Sequence, residues 1–155
     1  MRWGMVMFLL VAVISGAVEA GEKRWIRVYF PNGESVRAEP AISGPERERG
    51  LMFRPTLERD RGMLFFMGVE GIHPFWMKNV SFPIDILWLD REKRIVHMAR
   101  NVPPCRTDPC PTYPPLMPSL YVLELAAGRA DELGLRLHDQ LEFTVPRMDD
   151  GRGSR

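Results

Sequence analysis

Short apolar or alternating segments, separated by turn residues, run along the chain and predict a strand-rich fold. Residues 25–30 (WIRVYF) alternate between apolar and polar side chains, and the turn residues 31–33 (PNG) lead into a partner strand at 35–39. Residues 62–67 (GMLFFM) are continuously apolar, which is typical of a strand buried on both faces. A second hairpin is predicted over residues 84–99.

Further signals place two last strands and two short helices. The last strands are predicted at residues 120–125 and 140–145. Ser43 and Glu46 form a capping-box pattern that opens a helix over PERERGLM, which cannot extend past Pro55, and a second helix near 129–133 stops at Gly134. Residues 21–146 are therefore expected to form a single, mainly β domain, either a β-sandwich or an irregular barrel, with two short helices.

The start of the chain predicts export. Residues 1–20 combine a basic start, a nine-residue apolar run at 6–14 and small residues at 18 and 20, which is the pattern of a secretory signal peptide. The apolar run is shorter than the ~20 residues that span a bilayer. We therefore expect a periplasmic or extracellular protein without stable membrane insertion after cleavage, the alternative being an uncleaved signal anchor. The tail at 147–155 is expected to be disordered.

Charge and motif content narrow the classes of partner. The chain has 21 basic and 20 acidic residues, and they are interleaved, so we expect no nucleic-acid binding. Nucleotide-binding glycine motifs are missing from the sequence, and we expect no cofactor. Methionines together with His73 and His97 raise the idea of a copper site, but they form no close array, so no metal site is predicted. The oligomeric state stays open.

The two cysteines, Cys105 and Cys110, lie in the proline-rich segment PPCRTDPCP. A close pair in an exported protein usually forms a disulfide, because the compartment is oxidising. The spacing is not that of a redox dithiol, and one pair is too few ligands for structural zinc. A structural disulfide is therefore predicted, with free thiols, redox chemistry or metal chemistry as the alternatives.

Five motifs in a fixed order carry a family resemblance. They are ERGLMFR at 48–54, DRGMLFF at 60–66, FWMKNV at 75–80, PIDIL at 83–87 and YVLEL at 121–125 followed by Gly128. This order resembles the domain-of-unknown-function 192 family, over about Ile26 to Val145. The family often has Thr where this chain has Val80. The resemblance implies a strand-dominated, sandwich-like fold in prokaryotic proteins that often carry an export signal, and it implies no activity.

The segment FWMKN is the best candidate binding site. On a strand, Trp76 and Lys78 would share one face, and Asn79 would lie on the other with the apolar residues. An aromatic ring beside a cation is a common way to hold a sugar or an anionic group. The structural alternative is a core Trp76, a Lys78 that reaches out to water and an Asn79 that caps a turn.

Two further groups could complete this site. Asp85 lies inside an apolar strand and, if buried, needs a partner, which Lys78, Arg49 or Arg54 could supply. A purely structural ion pair would look the same in sequence. Arg49 and Arg54 could bind a carboxylate or phosphate. Alternatively, both arginines pair with nearby surface acids, which are Glu46, Glu48, Glu58 and Asp60.

The leading hypothesis is a non-enzymatic extracytoplasmic domain that binds a small polar or anionic ligand, or an envelope partner. Its ligand-binding residues would be Arg49, Trp76, Lys78, Asn79 and Asp85, with Asp85 orienting one of the cations. A second hypothesis is a hydrolase or group-transfer enzyme acting on an envelope glycan, with Asp85 and Lys78 as the acid–base pair. A third is a structural envelope protein. Recognisable catalytic motifs are missing from the sequence, so no catalytic residue is assigned.

Overall fold

A computed structural model describes residues 25–146 of the chain. The signal peptide expected at 1–20 and the tail expected at 147–155 lie outside the described residues. The elements, in chain order, are β1 (Ile26–Tyr29), β2 (Ser35–Ala41), α1 (Gly44–Arg49), β3 (Arg61–Gly71), β4 (Phe75–Trp76), β5 (Ile84–Leu89), β6 (Ile95–Val102), β7 (Thr112–Tyr113), β8 (Ser119–Ala126) and α2 (Arg129–Glu132).

Six of the strands form one sheet in the order β1-β2-β3-β8-β5-β6, and β4 pairs with β7 in a small second sheet. All neighbours in the large sheet are antiparallel except β2 and β3, which run parallel because α1 and its loops carry the chain back across the sheet. The sheet does not close into a barrel. The expected mainly β fold with two short helices is confirmed. No helix within residues 25–146 is long and apolar enough to cross a bilayer.

The large sheet buries an apolar cluster on each of its faces. Because strand side chains alternate, Leu64, Leu87 and Leu123 face one cluster (core A), while Phe65 and Trp88 face the other (core B). The continuous apolar sequence of β3 is explained by this arrangement, since residues 62–66 are buried on both faces as predicted. Every residue of β5 is buried as well.

The capping box at the start of α1 is present as predicted. Ser43 accepts a hydrogen bond from the backbone N–H of Glu46, and the Glu46 carboxylate accepts one from the backbone N–H of Ser43 at 2.7 Å. The backbone hydrogen bonds also lower the pKa of Glu46, because they favour its charged form. The helix ends at Arg49, earlier than PERERGLM suggested, because Gly50 adopts a positive φ of 46°.

The strand predicted at 140–145 is wrong as a regular strand. Two isolated bridges replace it, one between Tyr29 and Glu142 and one between Arg94 and Gln140. The segment bridges the outer edge of β1 and the β5–β6 hairpin. Its sequence alternates as a strand does, but it does not form a continuous ladder with one partner strand. Leu141 and Phe143 bury their side chains in core A.

The predicted disulfide between Cys105 and Cys110 is confirmed, with the two Cα atoms 5.7 Å apart. It closes a short loop just before β7, in the proline-rich segment. Cys105 packs against core B, so the loop is anchored to the body of the domain.

Candidate functional site

A recess of about 400 Å³ lies where the end of α1 and its following loop meet β4 and the turn after it. Its walls come from two sequence motifs that are far apart in the chain. The lining residues are Pro45, Glu48, Arg49, Met52, Phe53, Trp76, Lys78 and Asn79. Four of the five residues predicted for ligand binding are therefore brought together.

The recess is held by a hydrogen bond between two residues in the left-handed backbone region. Phe53 (φ 62°) donates its backbone N–H to the carbonyl oxygen of Asn79 (φ 56°) at 2.8 Å. Asparagine enters this region readily, but for a bulky residue such as phenylalanine the conformation is uncommon and costs energy. The Asn79 side chain also reaches the sulfur of Met52 at 3.9 Å. We call the hydrogen bond from the Phe53 N–H to the Asn79 carbonyl the Phe53–Asn79 clasp.

Two aromatic rings of the recess face solvent. Trp76 keeps 43% of its surface exposed and Phe53 keeps 72%, whereas Met77, between Trp76 and Lys78, is buried in core B. Trp76 and Lys78 lie on the opposite side from the buried Met77, as expected, and Trp76 is not a core residue. Asn79 lies on the recess side as well, because its left-handed backbone turns the chain out of the strand.

The recess carries two cations and one acid. The Lys78 ammonium lies 5.2 Å from the centre of the Trp76 ring, a cation–π distance. No ion pair formed among residues 25–146 involves Arg49 or Lys78, so the predicted surface pairing of Arg49 does not occur there. With Glu48 as the acid in the lining, the recess has a net positive charge.

Asp85 does not join the recess, and the expectation that it orients Lys78 or Arg49 is corrected. It is fully buried, and its carboxylate accepts backbone N–H groups of Asn101 (2.8 Å), Gly128 (3.2 Å) and Ala130 (2.8 Å). Asp85 sits at a register shift between β5 and β6 and caps the start of α2 from the neighbouring strand. Its partners are backbone amides, which the sequence pattern cannot reveal.

The comparisons with known proteins place this chain in a family. The model of the DUF192 family, described as Uncharacterized ACR, matches residues 28–143. The chain belongs to the DUF192 family. The resemblance noted in the motifs is thus confirmed. No curated protein matches the chain significantly.

Two solved structures resemble this DUF192 domain closely. A protein of Sinorhizobium meliloti, described as a "putative transcription regulator", is 32% identical with a TM-score of 0.68, over 77% of this chain and 92% of its own. A protein of unknown function from Novosphingobium aromaticivorans is also 32% identical with a TM-score of 0.68, over 76% of this chain and 83% of its own. These similarities support the fold and the family, and neither description states a ligand.

A larger groove of about 890 Å³ runs along β1, opposite residues 140–146. Its walls are mainly apolar, with Trp25, Tyr29 and Phe143 among them, and none of the predicted site residues lies in it. Lys93 in this groove is already engaged, because it donates a hydrogen bond to the Phe143 carbonyl at 2.8 Å. The predicted site residues that converge therefore do so in the smaller recess.

Glu124 is a functional candidate that the sequence analysis missed. It is 4% exposed in the middle of β8, and burial raises its pKa to about 8, against the opposing effect of the Arg54 guanidinium. Its Oε2 has no hydrogen-bond partner among the described residues. The motif YVLEL gives a hint, because a glutamate interrupts an otherwise apolar strand.

The neighbours of Glu124 form a polar group under the loop that follows α1. Glu39 of β2, Met63 of β3 and Glu124 of β8 are successive partners across the sheet, so their side chains share the face of core B. Arg54 forms an ion pair with Glu39 at 2.8 Å. Gly62 passes so close to the backbone of Glu124 that a Cβ atom there would lie 2.8 Å from its carbonyl oxygen. The expected pairing of Arg54 with a surface acid is thus replaced by a pair with Glu39.

Proposed function

We propose that this DUF192 domain is an exported binding domain for a small anionic ligand that also has an apolar face. The observation that carries the proposal is the convergence of Arg49 and Lys78 with the exposed rings of Trp76 and Phe53 in one recess. A carboxylate or phosphate group would bind the two cations, and a sugar ring or similar surface would pack on the aromatic rings. The clasp prepares this shape before binding, which lowers the cost of ordering the site.

Two alternatives have less support. An acid–base pair of Asp85 and Lys78 is not supported, because both Asp85 oxygens are already occupied by backbone amides. Nucleic-acid binding does not follow from the description of the Sinorhizobium relative, because this chain has a net charge of only +1 and many of its arginines pair with acids.

Binding is tested with glucuronate, which has a sugar ring and a carboxylate, and with glucose as the uncharged control. We expect glucuronate to bind more tightly than glucose in titration calorimetry. Lys78→Met and Arg49→Gln should each weaken glucuronate binding about tenfold or more, because each removes a charge-assisted hydrogen bond. Both side chains are exposed, so the variants should keep the wild-type melting temperature.

Arg136→Gln is the matched control, because it removes one exposed positive charge outside the recess. It should leave glucuronate affinity unchanged. Equal affinity of wild type and Lys78→Met for glucuronate, or equal affinity of wild type for glucose and glucuronate, would contradict the proposal.

Export is tested by the intact mass of the protein purified from its native host. We expect a chain that begins at Gly21, with a mass that rises by two hydrogens on reduction as the bond between Cys105 and Cys110 opens. Retention of residues 1–20 would contradict cleavage. An unchanged mass on reduction would contradict the disulfide in the native protein.

A further inference from the structure

The buried carboxyl of Glu124 lies beneath the same loop that forms one wall of the recess. Residues 51–54 carry both the lining residue Phe53 and the ion-paired Arg54. Adjacent strands lie roughly 4.8 Å apart, so Glu39 and Glu124, two strands apart, are separated by about 10 Å at the backbone. A long arginine side chain above this row can therefore pair with either carboxylate.

The net charge of Glu39, Arg54 and Glu124 depends on one proton, the proton of the Glu124 carboxyl. With Glu124 neutral, Arg54 and Glu39 form an ion pair and Glu124 adds no charge beside it. When Glu124 loses its proton, a second carboxylate attracts the Arg54 guanidinium in a poorly hydrated place. Directly opposite Glu124 on the neighbouring strands are Met63 and Ile86, which carry no charge. Arg61, which lies diagonally on the same face, pairs with Glu58 and Asp60. Arg54 is the cation whose charge acts on the Glu124 carboxyl, so it is the group expected to respond.

Movement of Arg54 is transmitted to the recess by the backbone. The N–H of Phe53 bonds to the Asn79 carbonyl at 2.8 Å, and the carbonyl of Arg54 accepts the Ser81 hydroxyl at 3.4 Å. These two bonds tie the loop after α1 to the turn that carries Lys78 and Asn79. A shift of Arg54 from Glu39 toward Glu124 therefore pulls on the Phe53–Asn79 clasp.

We propose that Glu124, Arg54 and Glu39 form a proton-sensitive switch that sets the shape of the ligand recess. The inference rests on the proposed function, since the recess is where the switch would act. In the protonated state Arg54 stays with Glu39, the clasp is closed and the recess is formed. In the deprotonated state Arg54 is shared between the two carboxylates, the clasp is strained, and an anionic ligand binds more weakly.

The switch is tested without any ligand, by NMR on protein labelled at the methionine methyl groups. Met63 lies between Glu39 and Glu124 and reports the proton, whereas Met52 lines the recess and contacts Asn79. In a titration over about two pH units either side of pH 8, the Met63 and Met52 signals should shift with the same midpoint. Both shifts should disappear in Glu124→Gln, which stays neutral.

Glu58→Gln is the control, because it removes an exposed carboxylate from the same connection between α1 and β3. It should keep both transitions. A Met63 transition without a Met52 transition would overturn the coupling, and the absence of any Met63 transition would overturn the proton site itself. Because no ligand is present, these results are independent of whether the recess binds glucuronate.

Discussion

Replacing Asp85 with asparagine is expected to destabilise the domain by about 3 kcal/mol or more. The carboxylate is fully buried and is the acceptor for three backbone N–H groups, which come from β6, from the N-terminus of α2 and from Gly128 before it. An amide group offers one oxygen in place of two and sets its own N–H₂ against a backbone donor. Urea unfolding of Asp85→Asn measures the loss, and the melting temperature should fall by on the order of 10 °C.

Asp131→Asn is the matched control for this substitution. Asp131 is exposed and pairs with Arg100 at 2.8 Å, an arrangement that contributes less than about 1 kcal/mol. Its removal should therefore change the free energy of unfolding only slightly. Similar losses in the two variants would mean that Asp85 does not join the three segments as described.

Glu124→Gln is expected to remove a pH dependence of stability that the wild-type protein has. Burial raises the pKa of Glu124 from 4.5 to about 8, so between these values the folded protein retains a proton that the unfolded chain has released. The unfolded state binds fewer protons there, and the free energy of unfolding falls as pH rises, by on the order of 1 kcal/mol per pH unit. The stability that this protonation contributes is fully present below about pH 4.5 and is lost by about pH 8.

The measurement is chemical unfolding of wild type and Glu124→Gln at several pH values across this window. The free energy of unfolding of Glu124→Gln should rise steadily relative to that of wild type as pH rises, because the glutamine side chain cannot ionise. Glu58→Gln, at an exposed position, should follow the wild-type curve. Parallel curves for wild type and Glu124→Gln would contradict a protonated, buried Glu124.

Local sequence signals predicted much of this fold because they act over a few residues. The capping box of Ser43 and Glu46, the turn at 31–33 and the apolar run of β3 each depend on neighbours in the chain. The failure at 140–145 has the opposite origin. That segment alternates like a strand, but its partners are Tyr29 at the end of β1 and Arg94 just before β6. A sequence pattern cannot indicate which of these a segment will join.

The candidate site was partly accessible for the same reason. Trp76 and Lys78 are close in sequence, and Arg49 was found through its motif, so four of the recess residues could be predicted from the sequence. The role of Asp85 could not, because its partners are backbone amides of three distant segments. The environment of Glu124 likewise depends on the order β2-β3-β8, which brings Glu39 onto the same sheet face.

The position of a bound anion shows whether the recess is the ligand-binding site. In methyl NMR spectra of wild-type protein titrated with glucuronate, the Met52 signal should move and saturate, because Met52 lines the recess beside Asn79. The Met98 signal should stay in place, because that residue packs on core A. A saturating shift of Met52 that is absent with glucose is the predicted result, and glucuronate binding that leaves Met52 unmoved would contradict ligand binding in the recess.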